Sequence, residues 1–224
     1  MTTAETAENA AITETDATPA HREILCRVAR ELSAQGWCQG TGGNFSLTLS
    51  QDPLRLLITR SGIDKRRLGD GDFIRVGPAG GPAPGEQGRP SAESALHARI
   101  VQATGAASVL HVHSVANTLL GEHFAARGGF TLSGYEMQKG LAEVTSHETA
   151  VYVPVLPNSQ DMPALSAEVA ALLAARPAIW GFLLAGHGLY AWGRSVEEAQ
   201  RHIEIFEFLF ECAARRTAFR PFEG

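Results

Sequence analysis

Two histidines stand two residues apart in His111-Val112-His113, at the end of an apolar run from Val109. Side chains two apart on a strand share a face, so both imidazoles point the same way with the spacing of a chelating pair. Neutral imidazole is the commonest nitrogen ligand for zinc and similar divalent ions. A third histidine, His187, is flanked by Gly186 and Gly188, which allow a tight turn and leave the ring unshielded. Three histidines with one or two open positions make a catalytic metal site rather than a closed structural one. The plainer alternative for His187 is a turn histidine facing water. His21, His97, His123, His147 and His202 lack such a setting and read as surface or packing residues.

Two turns upstream can take an anion. Thr41-Gly42-Gly43-Asn44 is glycine-rich, so its backbone N–H groups can face a ligand. Thr59-Arg60-Ser61-Gly62, followed by Lys65, offers a hydroxyl, a free amide and a cation after a strand. Neither is a Walker loop or a GxGxxG, and each alone is an ordinary turn. Beside a metal site, the two together suggest a phosphorylated small molecule. Two carboxylates stand out as well: Glu93 in the first turn of an expected helix, and Glu136 in Gly134-Tyr135-Glu136-Met137-Gln138-Lys139-Gly140. Plain readings exist for both, a helix-dipole partner for Glu93 and an exposed helix residue for Glu136. A carboxylate beside a metal is also the equipment for removing a proton next to a carbonyl.

These residues need elements to hold them. Ile24, Val28 and Leu32 fall on one face of a helix expected over His21–Gln35, stopped by Gly36. Phe45–Leu49, Leu54–Thr59 and Phe73–Val76 read as strands. Pro78–Gly88 is rich in Gly and Pro, a loop expected to be mobile. Ser91 is placed to cap a helix over Ala92–Thr104, Val109–His113 is a strand, and Ser114 starts another helix. Val151–Val155 reads as a strand, Asp161 caps a helix through Ala175, and Ile179–Ala185 and Leu189–Trp192 are strands around Gly186-His187-Gly188. Ser195 with Glu198 three residues on is a capping box for the last helix. That helix carries two apolar stripes, Val196/Ala199/Ile203/Phe206/Phe210 and Ile205/Phe208/Leu209/Cys212. It is therefore buried on two sides, within its own domain or against another subunit. The interleaving of strands and helices predicts an α/β fold with a largely antiparallel or mixed sheet.

Composition bounds the rest. The 224 residues suit one domain, and 44% hydrophobic residues suffice for a real core. A net charge of −5 (19 basic, 24 acidic) argues against nucleic acid or an anionic membrane as the main partner. No stretch is long and apolar enough to span a bilayer. Cys26, Cys38 and Cys212 are scattered, with no CxxC, so a reducing cytoplasm is expected. The first twenty residues have no Lys or Arg but carry Glu5, Glu8, Glu14 and Asp16. They are expected to form a disordered acidic tail, ahead of one domain over residues 21–224.

In order, GTGGN, the Ser61-Gly62 turn, PSAE, HVH and AGHG resemble the class II (zinc-dependent) aldolase/adducin-like family, over residue 21 to the C-terminus. GYEMQKGL at Gly134–Leu141 and GHGLYAWGRSVEEAQ at Gly186–Gln200 point within it to the methionine-salvage dehydratases, which act on a thioether-bearing pentulose phosphate. The resemblance implies a central, mostly antiparallel sheet flanked by helices, assembled as a homotetramer with sites near subunit contacts. It implies one Zn2+ per subunit on His111, His113 and His187, and a phosphate site at Gly42, Gly43, Asn44, Ser61 and Gly62, with Lys65 as an addition. It also implies catalytic roles for Glu136, as the base that removes the C3 proton before the C4 hydroxyl leaves, and for Glu93, where the family's aldolases carry their acid/base. The reading leaves two alternatives: another enzyme of the family, a sugar-phosphate aldolase or pentulose-phosphate 4-epimerase, or a non-catalytic adducin-like binding module.

Overall fold

The structure, a computed structural model, describes residues 17–216. Its elements in order are α1 (Pro19–Ala34), β1 (Asn44–Gln51), β2 (Leu54–Thr59), β3 (Phe73–Val76), α2 (Ser94–Thr104), β4 (Ser108–Val112), α3 (Val115–Phe124), β5 (Gly129–Leu132), β6 (Val151–Leu156), α4 (Met162–Ala175), β7 (Gly181–Leu184), β8 (Gly188–Gly193) and α5 (Val196–Arg215). The eight strands form one sheet in the order β3-β2-β1-β4-β8-β7-β6-β5. Every adjacent pair is antiparallel except β6 and β7.

The pleat sorts the strand residues between two helical layers. Leu110 and Val112 of β4 join the core under α1, α3 and α5. Val109 of β4 and Tyr190 of β8 join the core under α2 and α4. His111 therefore projects to the α2 side, where it stacks on Tyr190 with ring centroids 3.9 Å apart.

Register brings the candidate residues to one end of the sheet. Asn44 at the start of β1 pairs with His111 near the end of β4, and Val112 pairs with Leu189 near the start of β8. Leu184 at the end of β7 pairs with Gly188, and Thr59 at the end of β2 bonds the Phe45 amide. The turns after β2, β4 and β7 and the loop before β1 thus open on the same edge.

The segment carrying Glu136 goes elsewhere. At this same edge Leu156 of β6 pairs with Leu184, while Val151 at the other end of β6 pairs with Leu132, the last residue of β5. The chain leaves β5 at the opposite end of the sheet, and the 3-10 turn Glu136–Gly140 follows there, packed on the middle of α5 through Ile205.

Several sequence expectations are refined. α1 begins two residues early, at Pro19, because Thr18 accepts from the His21 amide; of the expected acidic tail, residues 1–16 lie outside the described residues. Strand β5 carries no strong alternation and was not anticipated. α2 starts at Ser94, and Ser91 accepts from the Glu93 amide instead of capping a longer helix. The Pro78–Gly88 loop, expected to be mobile, makes several contacts: Val76 bridges Pro82, Arg75 pairs with Glu86, and Gly80 packs against Ala95 with no room for a Cβ. In α5, Ser195 accepts from the Glu198 amide, but the Glu198 carboxylate reaches the Arg194 amide, one residue further back than in a capping box. Its first stripe is buried in the core with Ile205 and Leu209, leaving Phe208 exposed. One domain therefore accounts for Ile205 and Leu209 of the second stripe, while Cys212 is half-buried and Phe208 exposed.

Candidate active site

His111, His113 and His187 converge at that edge. One ligand-capable atom from each lies within 4.8 Å of the others. His113 Nε2 is 2.7 Å from His111 Nε2, which is 3.4 Å from His187 Nε2. The Leu189 carbonyl accepts from His111 Nδ1 at 2.9 Å, so that nitrogen carries the hydrogen and the Nε2 lone pair faces the cluster. Burial keeps His111 well below the ordinary imidazole pKa and lowers His113 to about 4. Both rings are thus neutral and ligand-competent, and neutral lone pairs this close favour a cation among them. His187 Nδ1 is buried with no partner.

Glu93 completes the set. Its Oε1 is 3.1 Å from His187 Nε2 and 3.7 Å from His111 Nε2. Burial alone would raise the carboxyl, but the imidazoles and the Asn44 amide outweigh it and hold Glu93 below the usual carboxylate range. Three imidazoles and a carboxylate around one point match the donor set of a divalent metal with an open position.

The glycine-rich loop is pressed onto the histidines. Gly43 has φ 77°, and a Cβ there would stand 2.7 Å from the His111 carbonyl oxygen; one on Gly42 would stand 3.0 Å from His113 Nδ1. Gly188 is as confined, its Cβ position 2.7 Å from His113 Cδ2 and 2.9 Å from His111 Cε1. Ser61 and Gly62 lie at the same edge, the Ser61 amide donating to the Arg89 carbonyl. Lys65 is buried, and its Nζ donates to the Thr41 carbonyl at 3.0 Å and the Ile63 carbonyl at 2.8 Å, tying the two loops together.

Two expectations change. The Asn44 side chain donates to Glu93 and to Ser91 Oγ, so its amide serves the carboxylate. Glu136 is not brought to the histidines of its own chain. Its side chain is 69% exposed at the far end of the sheet, paired with Lys139 and His147. Two residues that read from sequence as a helix cap and as a surface or packing residue also join the site. Ser91 sits between Asn44 and Glu93, and His97 is fully buried against Asn44. A histidine one helical turn after a candidate carboxylate was the available signal for His97. A cavity of about 860 Å³ is lined by residues such as Leu119, Phe124, Phe130 and Tyr135 and holds none of the histidine ligands.

The family model for the class II aldolase and adducin N-terminal domain matches residues 23–214. The chain belongs to the class II aldolase and adducin family. Among curated relatives it is 43% identical to a methylthioribulose-1-phosphate dehydratase of Picosynechococcus over 202 residues, 89% of this chain and 94% of that one. It is 47% identical to a methylthioribulose-1-phosphate dehydratase of Serratia proteamaculans over 198 residues, 87% and 94% of the two chains. In structure it resembles l-fuculose-1-phosphate aldolase from Thermus thermophilus, with TM-score 0.71 and 27% identity, over 90% of this chain and 97% of that one. Within this family the mixed eight-stranded sheet and the histidine cluster at its edge are one unit, with no helix among the described residues long and apolar enough to cross a membrane.

Proposed function

We propose that the chain is a hydro-lyase of methionine salvage. It converts 5-methylthioribulose 1-phosphate to 5-methylthio-2,3-dioxopentyl phosphate in the cytoplasm, with one Zn2+ held by His111, His113 and His187. The observation that carries the reading is the convergence of three histidines and Glu93 on one point, in a chain 43% and 47% identical to dehydratases of that name. A divalent ion bound there supplies a Lewis acid that stabilises negative charge on a carbonyl and the neighbouring hydroxyl.

The chain's own residues then do the following. The Gly42–Asn44 and Ser61–Gly62 turns hold the phosphate, and Lys65 keeps the two turns in register. A carboxylate takes the proton from C3, and the electron pair left behind forms the enediolate. The C4–O bond then breaks, with a proton delivered to the departing hydroxyl so that it leaves as water. The resulting enol takes up a proton and becomes the 2,3-diketone. Each proton-transfer group contributes about 10²–10⁴-fold.

Glu93 is the carboxylate its own chain supplies. Glu136 serves as the base from a second copy. Two exposed apolar sites support that assembly: Met137, beside Glu136, and Val115 and Leu119 on α3, which begins two residues after His113. Placing one segment against the other covers both and carries Glu136 toward a neighbour's histidines. A homotetramer repeats that contact around a closed ring.

The test is turnover of 5-methylthioribulose 1-phosphate by the zinc-loaded protein, following the diketone. Product formation supports the dehydratase. Cleavage or epimerisation of another ketose phosphate instead would keep the family and overturn this reaction.

A further inference from the structure

His97 reads from sequence as a surface or packing residue, yet both its ring nitrogens are used. Nε2 meets Asn44 Oδ1, and Nδ1 is 2.8 Å from Ser46 Oγ. Asn44 Nδ2 in turn faces Glu93 Oε2, and the other oxygen of Glu93 faces His187. The directions of these bonds are fixed by the last one. An ionised carboxylate only accepts, so the Asn44 NH2 points to Glu93 and its carbonyl points to His97. The hydrogen of His97 is therefore on Nε2, leaving Nδ1 to accept from the Ser46 hydroxyl. That hydroxyl's other acceptor, the Val109 carbonyl, is more distant at 3.4 Å.

The chain of donors runs Ser46 to His97 to Asn44 to Glu93, on three separate elements: β1, α2 and the α2 entry. His97 and Asn44 are almost wholly buried, so water does not compete for these bonds. Asn44 Nδ2 also donates to Ser91 Oγ, but a hydroxyl can donate as well as accept, so without His97 the amide can rotate and present its carbonyl to Glu93, which would repel it.

We propose that His97 is a positioning residue for Glu93. Acting through Asn44, it holds one carboxylate oxygen in place so that the other addresses the reacting centre. The proposal deepens the dehydratase reading and rests on it for its kinetic arm. A purely structural histidine would matter only through stability, whereas this one matters through its N–H.

The test compares His97→Leu, which fills the space without a donor, with His97→Gln, which restores an N–H at the Nε2 position. Both are crystallised and assayed with 5-methylthioribulose 1-phosphate. In His97→Leu the Asn44 amide turns and the Glu93 carboxylate leaves His187. The kcat falls about 10–100-fold, as expected when a reacting group is misplaced by about 1 Å, with KM changed less than about threefold. In His97→Gln the carboxylate returns and kcat comes back to within about fivefold of the parent. Unmoved Asn44 and Glu93 in folded His97→Leu, or an undiminished kcat, would overturn the proposal. If His97→Leu does not fold, Ser46→Ala, which frees the tautomer, is expected to show the same displacement, and an unmoved Glu93 there would overturn it equally. An inactive parent protein would count against the dehydratase reading, while the crystal structures would still decide the role of His97.

Discussion

Glu207 of α5 is fully buried behind the start of α3. The Asn117 amide donates to its Oε1 at 2.7 Å, and its Oε2 has no partner. Burial pushes the carboxyl from 4.5 up to about 7, with hydrogen bonds holding it back only in part. The folded state therefore binds a proton that the unfolded chain releases at lower pH. Stability from this group is fully present below pH 4.5 and is lost as pH rises through about 7. The shift of about 2.5 units corresponds to about 3 kcal/mol between pH 4.5 and 8. Glu207→Gln mimics the protonated acid at every pH. The constant cost of burying its amide cancels when one protein is compared with itself at two pH values. Urea denaturation of both metal-free proteins at pH 4.5 and 8 should show the parent losing about 3 kcal/mol more than the variant over that range. Parallel pH dependence in the two proteins would refute the argument and place an ionised, compensated carboxylate at Glu207.

Two further predictions concern the site. Gly188→Ala places a methyl group against the Val112 carbonyl oxygen, 2.7 Å from His113 Cδ2 and 2.9 Å from His111 Cε1, so the β4 backbone and both rings must shift by about 0.5–1 Å, beyond the roughly 0.2 Å tolerance of a metal–ligand distance. Chelator competition should show metal affinity down more than about 100-fold in a protein destabilised by about 1–3 kcal/mol; native affinity would show that the rings accommodate the methyl. Glu136 and His113 are expected to act from different copies, so co-assembled His113→Ala and Glu136→Gln chains should recover about a quarter of parental activity by random pairing, although each is inactive alone. No recovery from verified mixed oligomers would return both residues to one chain.

Much of this site could be read from residue types and spacing because its chemistry is local. The His-x-His pair sits on one strand face, and the glycines beside His187 and in the Gly42–Gly43 turn exist to let backbone and imidazole approach closely. The strands Leu54–Thr59 and Phe73–Val76 were legible to the residue because both are short runs of β-branched and large apolar side chains with clear breaks. What spacing could not reveal was which end of the sheet a segment reaches. Glu93 and Glu136 look alike in sequence, but the β5–β6 hairpin carries one to the far end while the α2 entry leaves the other against His187. Lys65 reads as a free cation for phosphate, yet two of its three N–H donors go to carbonyls 24 and 2 residues away. His97 and Asn44 gain their roles only through a contact across 53 positions. Such pairings follow from sheet register, which a local pattern does not encode.

The proposed site makes dehydration depend on a metal held by the three histidines. The most direct measurement of that dependence is the rate of diketone formation from 5-methylthioribulose 1-phosphate as zinc is titrated into metal-free protein, with His113→Ala alongside. The rate should climb linearly to a break at one ion per chain, with no bound ion or product from His113→Ala. Full turnover before any metal is added, or by a metal-free His113→Ala protein, would contradict it.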